Sequence, residues 1–133
     1  MEGRKLLEEK FGNGKYNLIS LATITLESGS DGKPRPIVRD VEAHYENGVF
    51  YVTTHAKARK MQQIEKNAEV AVAVCGEWFT ANGIGENLGW VLDPKNAELR
   101  ARLRTTFSKW YDTANNEKDE KCCILAIRLT RGT

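Results

Sequence analysis

Asn47-Gly48 stands between two stretches of apolar alternation, and no other feature constrains the fold so tightly. Asn-Gly takes the positive φ of a tight hairpin turn with little strain, so residues 35–45 and 49–54 are predicted to pair as antiparallel neighbours. The same logic runs backward along the chain. Residues 17–27, rich in Ile, Leu and Thr and apolar on both faces, read as a strand buried on both sides. The turn-forming stretch Glu27-Ser28-Gly29-Ser30-Asp31-Gly32-Lys33 then leads from this strand into residues 35–45. Downstream, residues 70–75 and 78–90 add two strands, the latter with Gly kinks, and Cys123, Leu125, Ile127 and Leu129 alternate inward on a last one.

Helices interrupt this pattern rarely. Leu6, Leu7 and Phe11 place a short amphipathic helix over 2–11, and Met61 and Ile64 place another over 58–67. Asp93-Pro94 is a helix start, with an apolar stripe of Leu99, Leu103, Phe107, Trp110 and Tyr111 running toward Thr113. A doubly wound parallel sheet would alternate strand and helix throughout. The chain is therefore predicted to be a mainly β protein: one domain over 1–133, an antiparallel barrel of about six strands with helices.

Composition narrows function by exclusion. Twenty Lys and Arg against 18 Asp and Glu leave a net charge of +2, too little to predict nucleic acid as a partner. No apolar run nears the roughly 20 residues that span a bilayer, and the opening residues lack the apolar core of a secretory signal. The expectation is a cytoplasmic protein without a membrane partner. Cys75, Cys122 and Cys123 are odd in number, and no Cys-x-x-Cys is present, so neither a disulfide framework nor a structural metal is predicted. Gly83, Gly85 and Gly89 have the wrong spacing for a dinucleotide fingerprint, with no helix to follow, and are read as bends in a barrel strand.

The residues that suggest chemistry lie at the end of the third strand. In Thr53-Thr54-His55-Ala56-Lys57-Ala58-Arg59-Lys60, two hydroxyls, three cations and the first turn of a helix converge, as they do where proteins hold a phosphate dianion. The competing reading is a solvated basic helix end with Thr54 as a cap. Cations at a helix N-terminus oppose the macrodipole, which makes Lys57, Arg59 and Lys60 awkward without an anion. On the second strand, Arg39 shares the apolar face of Ile37, Val41, Ala43 and Tyr45, while Asp40 points the other way. A cation on a buried face needs a partner, either a distant acid or a bound anion. Trp78 and Phe79 are read as packing residues, with stacking on a planar ligand as the alternative. His44 and His55 fit no nucleophilic triad order.

Together these pieces resemble the FMN-binding split-barrel family of pyridoxamine 5′-phosphate oxidase-like proteins, particularly its short general-stress-protein branch. The resemblance runs from about Asn17 to Cys75 and less specifically on to Asp93. It is carried by Leu21-Ala22-Thr23-Ile24, Asp31-Gly32-Lys33-Pro34-Arg35-Pro36, Val49-Phe50-Tyr51-Val52-Thr53-Thr54, Ala58-Arg59-Lys60-Met61 and Asn67-Ala68-Glu69-Val70-Ala71-Val72. It implies a Greek-key, six-stranded split barrel that binds FMN. Thr54, Arg59 and Lys60, with Thr53 adjoining, would hold the phosphate; Arg39, Asp40 and Val41 would lie beside the flavin ring; and Trp78 would reach the flavin of the other subunit.

The implied activity is that of an oxidoreductase passing electrons or hydride from a reduced nicotinamide or flavin to a small-molecule substrate. Because the oxidase binds its substrate with a basic C-terminal segment that Arg128 to Thr133 does not reproduce, pyridoxamine phosphate oxidation is not expected. Alternatives within the fold are a non-enzymatic sensor or carrier and the binding of haem or a deazaflavin. A small barrel binding single-stranded nucleic acid is the alternative from another class. The resemblance also implies a homodimer around two flavins, with Leu18, Ile19, Leu21, Ile24, Val70, Val72 and Val74 expected to supply the apolar contact surface.

Overall fold

The computed structural model describes residues 2–12, 16–25, 35–77, 79–108 and 111–132, without the side chains of 2–6, 25, 35, 113, 114 and 132. The turn predicted at 27–33, Leu6, Trp78 and Trp110 therefore lie outside the described residues or side chains. Six strands form the sheet: β1 (Asn17–Thr25), β2 (Arg35–Glu46), β3 (Val49–His55), β4 (Glu69–Val74), β5 (Thr80–Trp90) and β6 (Cys122–Gly132). All pair antiparallel and close into a barrel in the order β1-β2-β3-β6-β5-β4. The β2–β3 hairpin turns as its sequence predicts, with Asn47 at φ 49° and Gly48 at φ 81°.

The barrel is filled by alternate side chains. Ile19 and Leu21 of β1, Tyr45 of β2, Phe50 of β3, Val70, Val72 and Val74 of β4, and Leu125 and Ile127 of β6 form its core. This corrects the expected contact surface: Ile19, Leu21 and the three valines point inward and are at most 5% exposed. β1 is accordingly buried on one face only, since Leu18 on its other face is 43% exposed. β6 departs in the opposite direction. Every residue from Cys122 to Ile127 is buried, because its outer face carries a second core made with Val91, Leu103, Phe107 and Tyr111.

Two helices close the barrel's ends. From α1 (Glu2–Phe11), Phe11 packs on Tyr45, Phe50 and Phe79 with ring centroids 5.7–6.3 Å apart. At the other end lies α2 (Arg59–Lys66), which buries Met61, Gln63 and Ile64. Gly85 permits this approach: a Cβ there would stand 2.9 Å from Ile64 Cγ2. The long helix expected after Asp93 is broken. A 3-10 turn, Pro94–Asn96, precedes α3 (Ala97–Thr106), and α4 (Tyr111–Ala114) follows separately. The i+4 spacing of Leu99, Leu103, Phe107 and Tyr111 survives the break, because all four still face one core.

Glu117 staples this outer layer. Its carboxylate accepts hydrogen bonds from Arg100 at 2.5 and 2.8 Å, from Arg104 at 2.9 Å and from the Tyr111 hydroxyl at 2.9 Å, and its carbonyl accepts from Trp90 Nε1 at 2.7 Å. The Arg100 hydrogen bond holds the Glu117 pKa below the usual carboxylate value. No described helix is long and apolar enough to cross a membrane.

Candidate functional site

The β1–β2 register sets Arg39 opposite Leu21 and Val41 opposite Ile19, both on the barrel's inner side. Arg39 is the cation that the alternation placed on an apolar face, and its partners decide what that means. Nη1 donates to Thr23 Oγ1 at 2.8 Å and to the Leu21 carbonyl at 3.3 Å, while Nη2 donates to Gln63 Oε1 at 3.1 Å. Thr23 Oγ1 in turn donates to Gln63 Oε1 at 2.5 Å. Each acceptor is neutral. Among the described residues no acid pairs with Arg39, and these neutral acceptors leave its charge uncancelled.

Lys60 adds a second cation to this end of the barrel. Burial is the main cause that lowers its pKa, and the Arg39 guanidinium lowers it further, while the Cys123 thiol acts in the opposite sense. Cys123 faces Thr54 across the β3–β6 ladder, so Arg39, Lys60 and Thr54 gather at the α2 end. Burial, reinforced by Cys122 and offset by Lys60, pushes the Cys123 thiol up to about 11, which keeps it protonated and inert at neutral pH. Among the described residues, no carboxylate forms an ion pair with Arg39, Arg59 or Lys60.

The start of α2 is bare as well. Its N-cap is Ala58, which makes no side-chain hydrogen bond, and no acid stands in the first turn. Thr54 is therefore not the cap, which removes the structural role considered for it. Arg59 is exposed at this helix start, whereas Lys57 lies against Lys121 and lowers that ammonium's pKa.

Other sequence-selected residues separate. Asp40 faces outward and accepts a hydrogen bond from Ser20 Oγ at 2.6 Å, beyond Arg39's side of the strand. Thr53, one residue before Thr54, likewise lies on the outer face. Its Oγ1 is buried without a partner, beside a hollow of about 300 Å³ lined also by Asn115, Asn116 and Asp119. Phe79 packs against the barrel core. Sequence reasoning missed Thr23 and Gln63. A threonine on a strand and a glutamine on an amphipathic helix carry no signal until the register brings them to Arg39.

Neither histidine belongs to the cluster. His44 Nδ1 lies 2.7 Å from Thr106 Oγ1 and Nε2 3.2 Å from Glu46. His55 Nε2 lies 3.1 Å from Asp119, and its Nδ1 accepts from the Lys57 amide at 3.1 Å. Among the described residues no group of His, Cys, Asp and Glu is arranged to hold a metal ion.

A scan against protein-family models and a search of curated proteins give no match. Solved structures do match, over nearly the whole chain. General stress protein 26 from Bacillus anthracis is 16% identical and superposes with a TM-score of 0.65 over 99% of this chain and 92% of its own. An FAD-binding protein from Mesorhizobium loti, also 16% identical, gives 0.68 over 96% and 89%. The haem storage protein from Vibrio cholerae, 13% identical, gives 0.71 over 97% and 92%. The fold is the pyridoxamine 5′-phosphate oxidase-like split barrel. At these identities the likeness establishes the split barrel itself, and the ligand has to be argued from the residues at its α2 end.

Proposed function

We propose that residues 1–133 form one cytoplasmic FMN-binding domain that works as a homodimer and passes electrons or hydride from a reduced nicotinamide or flavin to a small-molecule acceptor. One observation carries the reading: Arg39 and Lys60 both stand at the α2 end, Arg39 donates only to neutral acceptors, and among the described residues no carboxylate pairs with either cation. A phosphate dianion is the counter-charge such a site lacks, and charge-assisted hydrogen bonds from cations and hydroxyls are what hold one. The residues present fit the group.

In this reading Lys60, Arg59 and Thr54 hold the phosphate with Arg39 beside them, Thr53 adjoins Thr54 with its side chain on the other face of β3, and the β2 segment Arg39-Asp40-Val41 borders the ring. The bound flavin supplies the redox chemistry. The chain anchors it, orients it and shields it from water. Haem, bound by one protein of this fold, is disfavoured because both histidines are engaged elsewhere.

The dimer reading rests on the barrel's outer surface. Val38 is 66% exposed on β2, opposite Ala22 of β1, which in turn lies opposite Ala71 of β4. Leu18 and Ile84 are also exposed on outward-facing positions of this surface. An apolar strip with small residues at its centre suits close contact with a second copy, and that copy's Trp78 would then reach the flavin.

The deciding experiment is the absorption spectrum of the purified protein, with the released chromophore identified by mass, followed by calorimetry with FMN and with riboflavin. FMN is expected to bind at least about 10-fold more tightly, the equivalent of one charge-assisted contact. Equal affinities would overturn the phosphate assignment, and a haem spectrum would overturn the flavin.

A further inference from the structure

Gln63 is 8% exposed, yet it sits at position five of a helix whose neighbouring Gln62, Glu65 and Lys66 are solvent-facing. Its amide has one possible orientation. A guanidinium carries only donors, so the atom facing Arg39 must be the oxygen, and Thr23 donates to that same oxygen. The three side chains close a ring: Arg39 spans Thr23 and Gln63 with its two terminal nitrogens, and Thr23 bonds Gln63. Gln63 Nε2 is left with no hydrogen-bond partner among the described residues.

The choice of an amide here has a consequence for charge. A glutamate has the same shape and would accept the same two hydrogen bonds, with a stronger grip on the guanidinium. It would also cancel the charge. For the stability of the empty protein, glutamate is the better residue; for anion binding, glutamine is.

We infer that Gln63 is a positioning residue that fixes the Arg39 guanidinium at the barrel's α2 end without neutralising it, and so sets the site's selectivity for a phosphorylated flavin. This rests on the phosphate reading of the site. With Thr23 it fixes the direction of both terminal nitrogens, so less side-chain freedom remains to be lost when the anion arrives.

The test compares the ligand-free protein with Gln63→Glu, by thermal melting and by calorimetry with FMN and riboflavin. Gln63→Glu is expected to raise the melting temperature of the ligand-free protein and to weaken FMN by roughly 10- to 150-fold, while riboflavin affinity stays within about twofold. A merely structural role predicts the opposite pattern, a lower melting temperature with both ligands weakened alike, and that result would overturn the inference. If the unsubstituted protein prefers FMN and Gln63→Glu keeps that preference, the inference falls while the phosphate site stands. If the unsubstituted protein shows no preference, both fall. Should Gln63→Glu not fold, Thr23→Val removes one of Arg39's acceptors at nearly constant volume. It is expected to weaken FMN by roughly 3- to 10-fold without affecting riboflavin, and an unchanged ratio of the two affinities overturns the inference equally.

Discussion

The Arg39 guanidinium adds to burial, the larger cause, in depressing the pKa of the Lys60 ammonium, and among the described residues no carboxylate pairs with either. Two cations that act on each other call for an acid beside them, because each raises the cost of keeping the other charged. The chain does not lack acids for the purpose. It places Glu117 against Arg100 and Arg104, and Glu86 against Arg128. At the α2 end, where β2, β3 and α2 meet, no such acid stands against Arg39 or Lys60 among the described residues.

Replacing Lys60 by methionine separates stability from binding. The aliphatic stem is kept, the repulsion with Arg39 is relieved, and the ligand-free protein is expected to melt at the same temperature or higher. FMN is expected to bind roughly 10- to 150-fold more weakly, the loss of one charge-assisted contact, with riboflavin unchanged. Calorimetry beside a thermal melt reads both; a fall in melting temperature with intact FMN affinity would place the phosphate elsewhere.

The depressed Lys60 pKa fixes the sign of a pH effect. The ammonium releases its proton at a lower pH in the folded chain than in the unfolded one, whose lysines titrate near 10.5. Between those values the unfolded lysine binds more protons, so Lys60 contributes a gain in stability of the ligand-free protein as pH rises through the folded pKa, and this contribution levels off above 10.5. FMN affinity moves the other way and declines over the same window. Denaturant melts and calorimetry from neutral pH to about 10.5 test this as a difference between the parent and Lys60→Arg, which does not titrate there and should lack the Lys60 contribution to both slopes.

Much of this was legible in the sequence, for identifiable reasons. Asn47-Gly48 specified its hairpin because turn chemistry is local, and Thr54, Arg59 and Lys60 stood out because a cationic helix start is a local conflict. Gln63 and Thr23 were not legible, since their role exists only once β1 and α2 are both packed against Arg39. The inward direction of the β4 valines is hidden in the sequence for a related reason. Alternation says that one face is apolar and the other made of alanines, but only barrel closure decides which face becomes interior. The helix break after Thr106 was hidden because Phe107 and Tyr111 keep the i+4 spacing across it.

Glu117 provides a control for the site. It ties α3, α4 and Trp90 together from a side chain only 15% exposed, on the layer outside β3 and β6. Glu117→Ala leaves Arg100 and the Tyr111 hydroxyl without their acceptor and Arg104 with Asp112 alone, and is expected to cost about 2–4 kcal/mol of stability. Because the folded Glu117 pKa is depressed, the contribution is present above the unfolded carboxylate value and lost as pH falls through the folded one, so the variant's deficit should shrink in acid. Below the melting transition its FMN affinity should equal that of the parent. Urea unfolding at neutral and acid pH measures the deficit, and a constant deficit would assign it to packing alone.

The dimer prediction turns on Val38. It is 66% exposed, so an aspartate there costs an isolated barrel little, within about 0.5 kcal/mol for an ordinary surface position. In a dimer formed through the β1, β2 and β4 surface the same aspartate would be buried among Ala22, Ala71 and their counterparts, with no cation beside Val38 on that strip among the described side chains to pair it. Val38→Asp is therefore expected to sediment as a folded monomer where the parent is a dimer. Because the partner's Trp78 would complete the flavin site, association and FMN binding should strengthen each other by mass action, and the monomeric variant should bind FMN more weakly although Val38 lies on the opposite face of β2 from Arg39. Sedimentation velocity with and without FMN distinguishes the cases. A variant that stays dimeric would move the interface off this face, and a monomer that keeps full FMN affinity would show that one chain holds the flavin alone.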